Sequence, residues 1–355
     1  MGVTDNSANR VVVLICTPLE PEFVERIASF DPDRVEVRYR ADLVPTPHFV
    51  ADHHGEPGWK RTPEGEAEWR TMAADAEILW DVPEGNDVPV LEQCPHVRWV
   101  QTTSAGVGPM IREKGLADTD IIVTTSSGIH ATPLAEFVFA ALLYNIKIIP
   151  QLLAWQQQKT WARYCAGELR GQTLTLVGPG RIGSEVARLA KAFGMRVVAV
   201  GATSPDRRQP NPDFDVYVDY SGIDEALAEG DCVVLACPLT PQTDGLVGRR
   251  QIDAMKPGVA LVNIARGAVI DEEAMIEALQ TGHIGFAALD VVQIEPLPET
   301  SPLWSMPNVL INPHSASTAW AENERITDIF VANLAHYLDG RYDQMSPILD
   351  KQRGY

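Results

Sequence analysis

Residues 173–201 read TLTLVGPGRIGSEVARLAKAFGMRVVAVG, and the fold follows from how this stretch is divided. Thr173 to Val177 has the short apolar run of a buried strand. Gly178-Pro179-Gly180-Arg181-Ile182-Gly183 follows as G-x-G-x-x-G. Ile182 to Phe193 repeats its apolar residues at helical spacing, Gly194 stops it, and Met195 to Val200 forms a second strand. Strand, glycines, helix and strand in that order are the context that makes the glycine pattern specific for a dinucleotide. Gly178 suits a tight turn, Gly180 the close approach of a pyrophosphate, and Gly183 close helix–strand packing. The helix N-terminus would then offer unpaired N–H groups and a positive dipole end to the phosphates.

Length and composition bound the rest. At 355 residues the chain has room for two domains of ordinary size, and 45% apolar with 22% charged residues fits a globular protein. A net charge of -19 argues against nucleic acid or an anionic membrane as partner. The five cysteines are Cys16, Cys94, Cys165, Cys232 and Cys237; the odd count and the lack of any C-x-x-C predict a reducing compartment and no structural metal. MGVTDNSANR has no basic-then-apolar leader pattern, and the most apolar region, Leu134 to Trp155, contains Glu136, Asn145, Lys147 and Pro150. These features predict a cytoplasmic protein with a buried helix rather than a membrane span.

Strands are expected at Arg10 to Cys16, Val35 to Tyr39, Ala76 to Trp80, Val97 to Gln101 and Ile121 to Thr124, with helices near Glu20 to Ala28 and Glu68 to Ala74. Asp42 to Gly65 is rich in Pro, Gly and His and reads as an irregular insertion, with His53-His54 in a solvated loop. This first block alternates strand and helix and predicts a small parallel sheet of its own. Its first strand ends in Cys16-Thr17-Pro18-Leu19, without glycines, so no dinucleotide is expected there. Pro133 to Ile149 reads as one long helix, continued helically from Gln151 to Tyr164. Beyond residue 201, Ser204 to Asp219 is polar and proline-rich. Further strands are expected at Asp231 to Ala236, Val259 to Ile264, Ile284 to Leu289 and Val309 to Ile311, making six from Thr173 onward. Helices fall at Ile223 to Ala228, Arg249 to Met255, Asp271 to Gln280 and Ala319 to Leu338.

Ligands of an open parallel sheet sit beyond the carboxyl ends of its strands. Arg266 follows VALVNI, Glu295 follows IGFAALD after a short loop, and His314 follows VLI. A cation, a carboxylate and an imidazole at such positions suit acid–base chemistry. Singly, each has a plainer reading: Arg266 capping a turn with Gly267, Glu295 solvated before Pro296, His314 satisfied structurally after Pro313.

Several segments resemble the D-isomer-specific 2-hydroxyacid dehydrogenases, including the glyoxylate and hydroxypyruvate reductases. They are GPGRIG at 178–183, LVNIARGAVIDEEAM at 261–275, ALDVVQIEPLP at 288–298 and NVLINPHSAS at 308–317, with weaker matches at TTSAGV (102–107) and SSGIHATPLAEFVFAALL (126–143). The spacings of 29 residues from Arg266 to Glu295 and 19 from Glu295 to His314 are usual for that family. The resemblance implies two Rossmann-like domains with doubly wound parallel sheets and an active site in the cleft between them. Residues 1–128 and 318–355 would form a flavodoxin-like substrate domain, and 129–317 the NAD(P)-binding domain. It implies Arg266 as the grip on the carboxylate and carbonyl oxygen of a 2-oxo acid, a task suited to a permanently charged fork. His314 would be the general acid, and Glu295 the carboxylate that favours its imidazolium form. Ser104, Ala105, Gly106 and Val107 would hold the substrate carboxylate. Cofactor contacts are implied at Gly178, Pro179, Gly180, Arg181, Ile182 and Gly183, at Ala202, Thr203, Ser204, Arg207 and Arg208, at Pro238, Leu239, Thr240 and Thr243, and at Ile264, Ala265, Asp290 and His314. Of these, Asp290 would lie near the nicotinamide carboxamide. A homodimer through the region around 133–165 is implied as well.

Gly201 departs from the usual pattern. A carboxylate at the end of the second motif strand hydrogen-bonds the ribose 2′-OH of NAD and repels the 2′-phosphate of NADP. Position 201 has none, and Arg207 and Arg208 follow Asp206, so NADP is favoured over NAD; the plainer reading of the two arginines is a solvated loop. Gly108 stands where many members have Asp, and Val292 where Phe is common. The sequence therefore predicts an NADP-preferring reductase of a small 2-oxo acid such as glyoxylate or hydroxypyruvate. The alternatives are NAD-dependent oxidation of another substrate such as phosphite, and a non-enzymatic NAD(H)-sensing scaffold; Glu295, rather than Gln, speaks against a formate dehydrogenase.

Overall fold

Why the chain forms two separate sheets is visible in its strands. The central ones are apolar runs with both faces buried, as parallel sheets covered by helices require, and most of the edge strands are only half-buried. The computed structural model describes residues 10–86, 88–202 and 211–351. By their contacts these divide into one unit of Met1–Ile129 with Thr318–Tyr355 and another of His130–Ser317.

The first unit opens with β1 (Val11–Ile15), α1 (Pro21–Ala28) and β2 (Val35–Arg38). After the insertion come α2 (Pro63–Ala73), β3 (Ile78–Trp80), α3 (Val90–Gln93), β4 (Trp99–Gln101), α4 (Gly108–Glu113) and β5 (Ile122–Thr124). The strands are parallel in the order β2-β1-β3-β4-β5, the flavodoxin-like arrangement. α2 begins five residues before the expected Glu68, because Thr62 caps it by accepting the Gly65 N–H and Pro63 sits at its first turn. The insertion is not a solvated loop throughout. Arg61 is buried over the Trp69 ring at 3.8 Å and donates to the carbonyls of Leu43 and Glu84. His53 is 6% exposed, with no partner for either ring nitrogen among the described residues, whereas His54 is exposed and paired with Glu84.

In the second unit, α5 (Ala131–Ile146) and α6 (Ile149–Gln157) are separated close to the break expected at Pro150, but α6 stops at Gln157 instead of running on to Tyr164. Ile148 is in the left-handed region at φ 51°, Pro150 starts a new helix, and Lys159 at φ 55° lies beyond its end. The chain from 158 to 172 then has no regular structure, and no residue of α6 is buried. Next come β6 (Thr173–Val177), α7 (Arg181–Ala192) and β7 (Arg196–Gly201), then β8 (Val216–Asp219), a strand unmarked in the sequence. Only four residues long and on the sheet edge, β8 (VYVD) is half-buried throughout and follows a polar, proline-rich stretch that hides it. α8 (Ile223–Glu229), β9 (Cys232–Leu235), α9 (Arg249–Ala254), β10 (Val259–Asn263), α10 (Glu272–Thr281), β11 (Ile284–Leu289) and β12 (Val309–Ile311) complete the unit. Its seven described strands are all parallel in the order β12-β11-β10-β9-β6-β7-β8, the doubly wound dinucleotide order with one strand added. Leu174 and Leu176 of β6 face a core with Val138 and Leu142 of α5 and Val186 and Ala190 of α7. Val177 faces the opposite core, with Ile223, Leu227, Met275 and Leu279.

α11 (Glu322–Leu338) returns to the first unit. Its Phe330 stacks on Trp99 at 4.9 Å and meets Trp80 edge-on at 5.4 Å, and Tyr337 donates to Glu77. No single described helix is long and apolar enough to cross a membrane.

Candidate functional site

The glycine loop between β6 and α7 divides its three tasks among its glycines. Gly178 lies at φ 104°, and a Cβ there would come within 2.4 Å of the Cys237 nitrogen. A Cβ on Gly183 would meet the Gly178 carbonyl oxygen at 2.3 Å, so helix and strand touch where only hydrogen fits. A Cβ on Gly180 would meet no atom of the described residues within 4 Å. The middle glycine thus borders open space at the N-terminus of α7, whose N-cap, Gly180 itself, supplies no side-chain capping bond. Open room, orphan N–H groups and a helix dipole fit a pyrophosphate. Pro179 is buried and Gly180 and Arg181 are exposed. Pro238 and Leu239 are exposed in the loop after β9, while Thr243 is buried, its hydroxyl donating to the Pro238 carbonyl at 2.6 Å and accepting from the Thr240 N–H at 2.8 Å. Ala202 is exposed; Thr203, Ser204, Arg207 and Arg208 lie outside the described residues.

At the other end of the sheet order, three loops carry the strand-end residues. His314 Nδ1 lies 2.7 Å from Glu295 Oε2, and Glu295 Oε1 accepts the Val292 N–H at 3.2 Å. A carboxylate on Nδ1 fixes the ring so that Nε2 is the atom left for proton exchange. Both side chains are partly open, at 43% and 38% exposure. The backbone at His314 is left-handed, at φ 51°, which costs free energy for a residue with a Cβ. Asp290, 3% exposed, holds that conformation. Its carbonyl accepts the His314 N–H at 2.8 Å, and its Oδ1 accepts Asn312 Nδ2 at 2.6 Å and the N–H groups of Ser315 and Ala316 at 3.0 Å each. Arg266 is exposed on the loop after β10, with Nη1 donating to the Ala265 carbonyl, and Ile264 and Ala265 are buried beneath it.

Two residues that sequence reasoning missed build this corner. Buried Asn263 accepts the Ala265 N–H at 3.0 Å and donates to the Arg266 carbonyl at 3.3 Å, bracing the turn. At Gly267 a Cβ would stand 2.0 Å from the Val292 carbonyl oxygen and 2.4 Å from the Gln293 nitrogen. The loops carrying Arg266 and Glu295 therefore touch backbone to backbone. The signal was present as N-x-x-R-G, but its meaning depends on a loop 25 residues away.

In the first unit, the loop after β4 carries Ser104, Ala105, Gly106 and Val107. Ala105, Gly106 and Val107 donate no backbone hydrogen bond among the described residues. The loop's base is anchored by Asp81, itself buried and at φ 60°, which accepts the N–H and hydroxyl of Thr103 and the Val82 N–H. Among the described residues no three His, Cys, Asp or Glu side chains come together as a metal site.

A seven-stranded sheet of this order, with this glycine loop, defines an NAD(P)-dependent oxidoreductase fold. Residues 139–316 match the family model described as D-isomer specific 2-hydroxyacid dehydrogenase, NAD binding domain. The chain is 32% identical over 263 residues to the glyoxylate reductase of Thermococcus gammatolerans, covering 72% of this chain and 77% of that one. It is 31% identical over 275 residues to the hydroxypyruvate reductase of Blautia hydrogenotrophica, covering 75% and 83%. A solved D-isomer specific 2-hydroxyacid dehydrogenase family protein from Aeromonas salmonicida is 27% identical with a TM-score of 0.77, covering 97% of this chain and all of that one. One from Xanthobacter autotrophicus Py2, in complex with NADPH and MES, is 26% identical with a TM-score of 0.73, covering 98% and 100%. The chain belongs to the D-isomer specific 2-hydroxyacid dehydrogenase family.

Proposed function

We propose that the chain reduces a small 2-oxo acid, of the size of glyoxylate or hydroxypyruvate, with NADPH in preference to NADH. The observation that carries the reading is the 2.7 Å pair of His314 and Glu295, on loops that follow neighbouring strands, with Arg266 on the loop that Gly267 packs against Val292. Arg266 binds the substrate's carboxylate and carbonyl oxygen, and the N–H groups of Ala105, Gly106 and Val107 take the carboxylate. When bound, the nicotinamide supplies the hydride for the carbonyl carbon. His314 gives the Nε2 proton to the carbonyl oxygen, and Glu295 holds the ring and balances the charge on it. Residues 129–317 act as the cofactor domain, and 1–128 with 318–355 as the substrate domain.

NADPH is favoured because Gly201 puts no carboxylate against a 2′-phosphate. The names of the glyoxylate and hydroxypyruvate reductases among the relatives support the substrate class. A homodimer is supported by α6, which buries none of its residues, and by Leu153 and Trp161, 51% and 98% exposed. Five free cysteines suit a cytoplasmic protein, and the charge of -19 suits neither nucleic acid nor membrane. The test is a panel of 2-oxo acids assayed with NADPH and NADH. Turnover of the smallest acids, faster with NADPH, is expected; cofactor binding without turnover of any 2-oxo acid would refute the reading and favour a sensing scaffold.

A further inference from the structure

Position 201 lacks a carboxylate, and it also lacks the room for one. A Cβ on Gly201 would stand 2.7 Å from the Tyr217 hydroxyl and 2.9 and 3.0 Å from Cγ and Cδ of Pro179. The backbone of Gly201 is not in the left-handed region, so space rather than conformation selects glycine here. Tyr217 belongs to β8, where its Cα pairs with Ala199 of β7. Its side chain therefore runs two residues along β7 toward the carboxyl edge of the sheet and ends over the last residue of the strand. Pro179 comes from the glycine loop. The phenol oxygen thus stands between the tip of β7 and the phosphate-binding turn, where a dinucleotide fold of this kind meets the adenosine ribose.

We infer that Tyr217 reads the ribose in this chain: its hydroxyl fills the place of the missing acidic side chain, keeps position 201 a glycine, and donates a hydrogen bond to a 2′-phosphate. The inference rests on the NADPH reading above and adds the residue responsible. A phenol suits the task because it carries a donor without the negative charge that would repel the phosphate. It also makes the selectivity a coupled property. An acidic residue at 201 alone meets the Tyr217 hydroxyl first, at 2.7 Å, so a switch toward NADH needs Tyr217 cut back as well. That leaves only the Pro179 ring, at 2.9 and 3.0 Å, to yield by a few tenths of an ångström.

The test is titration of NADPH and NADH into the full-length protein without substrate, by calorimetry or quenching of tryptophan fluorescence, with melting temperature as a check on folding. Y217F removes one oxygen and leaves the packing. We expect its Kd for NADPH to rise roughly tenfold, the usual worth of one hydrogen bond to a charged group, with the Kd for NADH within about twofold. G201D should weaken both cofactors, and G201D/Y217A should recover NADH and bind it more tightly than NADPH. If the parent prefers NADPH and Y217F keeps the parent ratio, Tyr217 is refuted while the NADPH reading stands. If the parent prefers NADH, the NADPH reading falls and Tyr217's phosphate contact falls with it. If G201D alone binds NADH well, the steric coupling is refuted, whatever the parent prefers.

Discussion

G267A adds one methyl group to a loop that touches neither the imidazole nor its carboxylate directly, and its effect should nonetheless appear in turnover. The methyl carbon would stand 2.0 Å from the Val292 carbonyl oxygen, 2.1 Å from its carbon and 2.4 Å from the Gln293 nitrogen. All three are backbone atoms, so no side chain can swing aside. An ordinary contact needs at least 3.4 Å, and the two loops must part by about 1.4 Å. Val292 donates its N–H to Glu295 Oε1, and Glu295 Oε2 holds His314 Nδ1, so the shift passes to the imidazole through two hydrogen bonds. Arg266, one residue before the methyl, moves the opposite way. Misplacement of about 1 Å costs on the order of 100-fold in rate, and overpacking of this kind costs roughly 1–3 kcal/mol of stability. We therefore expect kcat to fall roughly 100-fold with the cofactor Kd changed far less, since β9 separates β10 from the strand that leads into the glycine loop, although Ile264 and Ala265 lie beside the added methyl. The assay is steady-state reduction of the preferred 2-oxo acid, with cofactor titration and denaturant unfolding on the same preparation. A folded G267A with kcat within about threefold of the parent would show that the loop contact does not set the catalytic geometry.

G180A should do the reverse: no atom of the described residues lies within 4 Å of the added methyl, so stability should hold within about 1 kcal/mol while NADPH binding weakens by tenfold or more; unchanged binding would move the pyrophosphate elsewhere. H314A should lower kcat by roughly 10²–10⁴ with little change in cofactor Kd, and a smaller loss would point to another proton donor. Asp52 tests the insertion. Burial pushes its pKa up, but hydrogen bonds from the His48, Gly55 and His54 N–H groups and the His48 ring prevail and hold it at about 2, below the ordinary 3.8. A lowered carboxylate stabilises the fold above its unfolded pKa and loses that contribution as the pH falls toward 2. D52N should therefore be roughly 2 kcal/mol less stable than the parent at neutral pH, and the gap should close between about pH 4 and pH 2; urea-unfolding curves whose separation stays constant over that range would refute this.

How much of this was legible depends on how local the cause was. β6, α7 and the glycines were readable to within a residue, because each signal lies in the stretch it shapes: an apolar run, a helical spacing, a stop. The break between α5 and α6 was half legible. Pro150 marked it, but the left-handed Ile148 and the end of the helix at Gln157 have no local signal of that kind. β8 was invisible because an edge strand of four residues needs only one partner, and its apolar face is just Val216 and Val218 at the end of a polar, proline-rich stretch. His53 shows the opposite failure. Its sequence neighbours are polar, yet the insertion folds so that His53 is only 6% exposed. Composition says how a segment fares in water, and tertiary contacts decide whether it meets water.

At the catalytic corner the same division separates chemistry from placement. Arg266, Glu295 and His314 could be picked out because an unusual residue type after a strand end is visible one residue at a time. What holds them is backbone: the Gly267–Val292 contact, the turn braced by Asn263, and the strained His314 fixed by Asp290 through four hydrogen bonds. Asp290 lies just past β11, between the strands that carry Arg266 and His314, and its own N–H reaches back to the Asn263 carbonyl at 3.0 Å. One buried residue therefore ties the Arg266 turn, through its N–H, and the His314 turn, through its carbonyl and carboxylate, into a single network. A residue with five such bonds is placed first to position its neighbours, and any contact it makes to a cofactor is made by a group already fixed by the fold.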